Sequence, residues 1–215
     1  MNNFQAKVRF DQFDVASRLS ALGLAEDILK EAISAGYVAW DACTDLDPRM
    51  FPGLSMWAVT VRRLRQLLLV HGWTYSDDGN FPLTISPDQK IAICVATGDK
   101  FTGDENNTPS TQSQKGPKSA HIVAINTAQL ELDLNVPKNT ASKQDDTCTT
   151  WLLLLHRTST TVFAELSHPI AMDEYQRVAG WKERLVLSPV QFESDMFEIT
   201  EDDSPDIDID IRRRV

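Results

Sequence analysis

Positive charge is scarce in this chain of 215 residues: 21 lysines and arginines stand against 31 aspartates and glutamates, a formal net charge of −10. That balance excludes a protein whose main task is to coat nucleic acid or an anionic membrane, because phosphate binding needs a positive field. Long apolar runs are missing too. Stretches such as Trp151 to Leu155 fall far short of the roughly 20 residues that cross a bilayer. The start, Met1-Asn2-Asn3-Phe4-Gln5, lacks the basic and then apolar order of a secretory leader. Cysteine is limited to Cys43, Cys94 and Cys148, an odd and widely spaced set that builds neither a disulfide framework nor a zinc pattern. A reducing cytoplasm is the expected home. Catalytic signatures are absent as well. No Gly-x-Ser-x-Gly elbow occurs, and His71, His121, His156 and His168 have no ligand spacing and read as structural.

What is present is ordinary globular material. Hydrophobic residues make up 42% and charged ones 24%, enough for a real core in one large domain. Residues 1–72 read as helical and residues 73–215 as sheet-rich, the two parts forming one compact domain. A first helix is expected around Val15 to Leu22, set off by Gly23. In the next, Ile28, Leu29, Ala32 and Ile33 share one face, Glu26 and Asp27 favour the positive end of the helix dipole, and Gly36 is the expected stop. A third helix is expected from Ser55 to His71, with Trp57, Val61, Leu64 and Leu68 as its apolar stripe.

The later sequence changes period. Phe81 to Ser86 and Lys90 to Ala96 read as two strands joined by a Pro87-Asp88-Gln89 turn. Thr97 to Ser119 is a long polar loop, expected to be mobile and to carry contact residues. Ala120 to Leu130 reads as a helix opened by Pro117 and Ser119. Thr150 to Leu155 is apolar on both faces and reads as a central strand, Thr161 to Leu166 returns antiparallel to it, and Trp181 to Leu187 is a further strand. At the end, Asp206, Asp208 and Asp210 alternate strictly with Ile207, Ile209 and Ile211. That period of two predicts a C-terminal edge strand with one wet and one dry face. The fold class is therefore α+β: N-terminal helices packed on a mainly antiparallel sheet.

Each candidate site has a chemistry and a plainer alternative. Gly98 to Gly103 has the glycine spacing of a phosphate loop, but Asp104 follows where lysine is needed, so a nucleotide loop is rejected. Asp99, Lys100, Lys115 and Lys118 in the polar loop, Arg62 and Arg65 on the third helix, and Arg212, Arg213 and Arg214 at the end are the candidate partner contacts. Arg62, Arg63 and Arg65 form a basic cluster, which in so acidic a chain pairs more readily with the protein's own acids or an acidic partner than with nucleic acid. Asp206, Asp208 and Asp210 are candidate ligands for a divalent cation, although alternate residues on a strand stand nearly 7 Å apart, roughly twice the rise per residue. Charge that keeps an edge strand from aggregating explains them more simply.

The functional expectation is a non-enzymatic interaction module, a subunit or accessory protein of a bacterial cytoplasmic assembly. It has no cofactor, binds another protein rather than nucleic acid, and does not span a membrane. Two alternatives stay open: a metal-dependent hydrolase or nuclease drawing on Asp88, Asp99, Glu165 and the terminal aspartates, and an acidic mimic of nucleic acid built on Glu201, Asp202, Asp203, Asp206, Asp208 and Asp210.

Overall fold

The computed structural model describes residues 6–135 and 148–192. Its elements run β1 (Lys7–Arg9), α1 (Gln12–Ala21), α2 (Glu26–Asp41), α3 (Phe51–Leu69), β2 (Thr74–Ser76), β3 (Leu83–Ile85), β4 (Ile91–Thr97), α4 (Pro117–Asn135), β5 (Thr149–Arg157), β6 (Thr161–Met172), β7 (Val178–Val186) and β8 (Val190–Gln191). Four helices and a mixed sheet of eight strands make an α+β fold. The strand order is β1-β7-β6-β5-β4-β3-β2, with β8 also pairing with β6. Most pairings are antiparallel. The exceptions are β1 with β7 and β4 with β5.

Local sequence explains the helices. The Asp11 carboxylate accepts from the amides of Phe13 and Asp14 and so caps α1. Gly23 ends that helix region with φ of 71°, a left-handed conformation that suits glycine. Gly36 is not the stop that its type suggests. α2 runs through it to Asp41. A Cβ at Gly36 would lie 2.0 Å from Thr60 Oγ1 and 2.8 Å from the Met56 carbonyl oxygen. The missing side chain is what lets α2 and α3 meet backbone to side chain.

The sheet buries both faces. Ile93 and Val95 of β4, Trp151, Leu153 and Leu155 of β5, and Leu166 of β6 pack with Leu19, Leu29, Ile33, Leu64 and Leu68 of α1 to α3. The alternate residues Cys94, Ala96, Leu152 and Leu154 join Val123 of α4 and Trp181 of β7 on the other side. The period of two thus sorts one strand's side chains between two helical layers. Pro169 lies within β6, where the register shifts around it and lets the pairing with β7 continue. Its carbonyl and that of Thr150 both accept from Asn126 Nδ2 at 2.9 Å, which anchors α4.

The polar loop is the main departure from expectation. It is not loose between Thr97 and Ser119 but is tied to the sheet along its length. Gly98 bridges to Thr111. The Thr111 amide donates to the Val178 carbonyl at 2.9 Å and the Lys115 amide to the Gln176 carbonyl at 2.8 Å. Trp181 Nε1 donates to the Pro109 carbonyl at 2.9 Å. At its centre Arg184 Nη1 and Nη2 donate to the carbonyls of Asn107 and Asp104, each at 2.8 Å. The same guanidinium pairs with Glu165 at 2.6 Å, and both side chains are almost wholly enclosed. Glu165 also accepts from Ser167 Oγ at 2.6 Å and from the Gly103 amide at 3.0 Å. A buried charge pair on the sheet therefore supplies the anchor that composition alone does not reveal.

The neighbouring residue of β7 does the same on the opposite face. Glu183 accepts from Arg9 Nε at 2.6 Å and pairs with Arg18 at 2.9 Å. Two successive charges in a strand, Glu183 and Arg184, thus find counter-ions on opposite sides of the sheet. The predicted strand over Asp206 to Asp210 lies outside the described residues.

Candidate functional site

The parallel pair β4–β5 decides where a site can form. The two strands run in register from Ile91 opposite Thr149 to Thr97 opposite Leu155, and α4 lies in the connection between them. Their carboxyl ends therefore lie side by side, the place where open sheets containing parallel strands leave a crevice. β3 pairs only with Ala92 and Ile93, so it leaves the far half of β4 without a strand neighbour on that side. Trp57 of α3 covers this stretch, its Nε1 donating to the Val95 carbonyl at 3.1 Å. That bond satisfies a backbone group the missing strand would have taken.

Beside Trp57 a groove of about 390 Å³ opens over the ends of β4 and β5. Its walls carry Arg49, His156, Arg157, Gln112, Trp40 and Trp57, with no carboxylate among the described residues that line it. Arg157 lies over the Trp40 ring, 3.5 Å from its centroid, and its Nη1 donates to the Thr158 carbonyl at 2.9 Å. Burial draws the Arg157 guanidinium below its usual value, opposed by Tyr37, yet arginine stays charged at neutral pH. Among the described residues the side chains of Arg49, His156 and Gln112 have no partner that would hold them back from a ligand. Tyr37 and Phe192 stack at 3.6 Å close by, and Tyr37 Oη donates to the Ser159 carbonyl at 2.8 Å. These contacts brace the turn after β5, and with it Arg157. Leu46, Met50 and Leu54 are exposed and lie close in sequence to the lining residues Arg49, Pro52 and Gly53.

The residues expected to contact a partner do not gather here. Asp99 serves the loop, accepting from the Ser110 amide and hydroxyl at 3.0 and 2.9 Å. Lys100 lies over the Phe101 ring at 5.1 Å. Arg62 is exposed on α3, while Arg63 pairs with Glu31. Arg65 pairs with Asp77 at 2.7 Å and covers Tyr75. Lys118 pairs with Asp78. Arg65 and Lys118 thus clamp one short segment from two sides, and Lys115 lines a second cavity that this segment helps to wall. Arg212, Arg213 and Arg214, and the candidate metal ligands Asp206, Asp208 and Asp210, lie outside the described residues, as do Glu201, Asp202 and Asp203.

The scattered carboxylates are held apart. Asp88 accepts from Ser86 Oγ at 2.7 Å within the turn before β4, and those bonds hold its carboxyl below the usual range. Asp99 follows β4. A strand of seven residues separates these two by roughly 20 Å. Glu165 is sealed against Arg184. Among the described residues no three histidines, cysteines or acids form a set fit to hold a metal ion, and no helix is long and apolar enough to cross a membrane.

Arg49, His156 and Arg157 escape a reading of the sequence because their meeting depends on β4 and β5 being parallel. The usable signal was the pair of apolar strands, Ile91 to Ala96 and Thr150 to Leu155, with a helix between them. The chain matches no protein-family model, no curated protein and no solved structure.

Proposed function

We propose that this chain is a non-enzymatic interaction module that grips an acidic, aliphatic segment of a partner protein in the groove at the ends of β4 and β5. One observation carries the reading: the groove collects Arg49, His156 and Arg157 and, among the described residues, no carboxylate, in a chain whose net charge is −10. Cations left without counter-ions at a concave site favour an anionic occupant, and low-dielectric walls strengthen that attraction. The exposed Leu46, Met50 and Leu54, close in sequence to Arg49 and Gly53, offer apolar surface for aliphatic side chains next to the acids. A nucleic acid fits less well. Single strands are held by exposed aromatic platforms along a basic track, and here Trp40 is already covered by Arg157. The chain's overall negative charge also opposes a long polyanion more than a short acidic peptide.

Gly53 gives the test its handle. It lines the groove, and a Cβ built on it meets nothing within 4 Å, so a side chain there is accommodated beside the groove without a clash. A photo-crosslinking residue at position 53 should trap, in cells that make the protein, a peptide rich in Asp, Glu and aliphatic residues. Arg157→Glu should abolish the adduct. Nuclease-sensitive adducts would replace this reading with nucleic-acid binding. Peptide adducts without acidic character, or adducts unaffected by Arg157→Glu, would overturn it.

A further inference from the structure

On the other side of Trp57 lies a separate cavity of about 240 Å³, between β4, the first turns of α4 and the segment Asn80-Phe81-Pro82. Its body is apolar, with Trp57, Phe81, Ile122, Val123 and Leu152 among the walls, and a single charged residue, Lys115, lines it. Two cations outside the lining have counter-ions just before the wall segment in sequence: Arg65 holds Asp77 and Lys118 holds Asp78. Lys115 pairs with no described carboxylate, and none lines the cavity. Its backbone is fixed, because its amide donates to the Gln176 carbonyl at 2.8 Å. Burial lowers the ammonium's pKa, opposed by Cys94, as desolvation of a cation does.

We propose that this cavity binds a small organic carboxylate with an aromatic body, the ring among Trp57, Phe81 and Ile122 and the carboxylate on Lys115. The sizes agree. A dry cavity of about 150 Å³ takes benzene, and the larger space here admits a ring with a short spacer and a charged end. A doubly charged ligand is disfavoured by the single cation, and a cationic ligand by its sign. Ser119, on the first turn of α4, is the nearest additional donor in the wall. The site is independent of the groove reading, since Lys115 does not line the groove and Arg49, His156 and Arg157 do not line the cavity.

The test uses the full chain and three probes of one shape: 3-phenylpropionate, 3-phenylpropanol and 3-phenylpropylamine, followed by calorimetry and by tryptophan fluorescence. The acid should bind saturably, with the alcohol weaker by about tenfold or more, as one charge-assisted hydrogen bond provides, and the amine weaker still. Binding the acid should raise proton uptake at alkaline pH, because the anion stabilises the charged lysine. Lys115→Met should erase the preference for acid over alcohol while leaving the alcohol's affinity unchanged, and Lys115→Arg should keep the preference. No saturable binding of any probe, or equal affinity for acid and alcohol in the unmodified protein, overturns the proposal. A preference that survives Lys115→Met overturns it too, by placing the acid elsewhere. The photo-crosslink at position 53 reports the groove alone, so either reading can fail without the other.

Discussion

Arg184→Met tests whether the buried pair with Glu165 anchors the polar loop. The substitution keeps most of the side-chain bulk and removes the guanidinium. Four hydrogen bonds go: two to Glu165, at 3.0 and 2.6 Å, and one each to the carbonyls of Asp104 and Asn107, at 2.8 Å. Those two carbonyls belong to a loop at the surface and can turn to water. Glu165 cannot, since it is fully enclosed. It keeps only two neutral donors, Ser167 Oγ and the Gly103 amide. Leaving one partner of a buried ion pair uncompensated costs about 3–5 kcal/mol, which for a chain of this size lowers the melting temperature by roughly 6–20 °C. Urea denaturation followed by circular dichroism measures the first quantity and calorimetry the second. The double variant Glu165→Leu with Arg184→Met should be less damaged than Arg184→Met alone, because it removes the stranded charge. Amide exchange at Gly103 and Asn107 should accelerate well ahead of the sheet, since the loop loses its clamp before the core unfolds. A loss below about 1 kcal/mol, the range of solvated surface pairs, would refute the reasoning, as would a double variant as weak as the sum of the two single ones.

Other outcomes follow from single positions. Gly53→Ala, with open space around its Cβ, should stabilise α3 by up to about 0.5–1 kcal/mol, whereas Gly36→Ala, driven into Thr60 and Met56, should cost about 1–3 kcal/mol; equal melting temperatures for the two would contradict the packing of α2 on α3. Burial raises the Glu183 carboxyl, but its bonds to Arg18 and Arg9 outweigh that and leave it below 4.5. Its contribution is therefore present above about pH 4.5 and is lost as pH falls through the lower folded value, so Arg9→Met with Arg18→Met should flatten the acid limb of a stability–pH curve, and an unchanged slope would count against the pairing. Burial pushes the Cys94 thiol up to about 12, so at about pH 8 it should alkylate last of the three cysteines; labelling as fast as that of Cys43 in the native protein would contradict its burial.

How much of this was legible beforehand follows the range of the interactions. Helices α1 to α3 were readable because their apolar stripes and end signals are local, and the β3–β4 hairpin because Pro87-Asp88-Gln89 is turn chemistry. The central place of β5 was readable because Trp151 to Leu155 is apolar on both faces. What failed needed a partner far away in sequence. Gly36 looks like a helix terminator until Thr60, on another helix, is seen to occupy the space its side chain would need. The short strands β1 and β2 have three residues each, too few for a period to register. Composition described the loop from Thr97 to Ser119 accurately, but composition counts polar residues and not their partners. Arg184 lies about 80 positions from the carbonyls it holds.

The site was the least legible part for the same reason. Of the cations that the sequence singles out, Arg62 and Arg65 belong to a cluster along α3 and Lys100, Lys115 and Lys118 to the polar loop; Lys115 lines the second cavity, while others lie within reach of the chain's abundant acids. Arg63, Arg65 and Lys118 accordingly end with Glu31, Asp77 and Asp78. In a protein with ten more acids than bases, a cation inside a concave site stays uncompensated where the fold keeps acids away. Among the described residues two concave surfaces do this, the ends of β4 and β5 and the cavity at Lys115, and neither lining contains a described carboxylate. Arg49, His156 and Arg157 come from two separate parts of the chain and meet only because β5 returns parallel to β4. Exclusion of acids, rather than accumulation of bases, is the feature that marks these two surfaces, and it exists only in three dimensions.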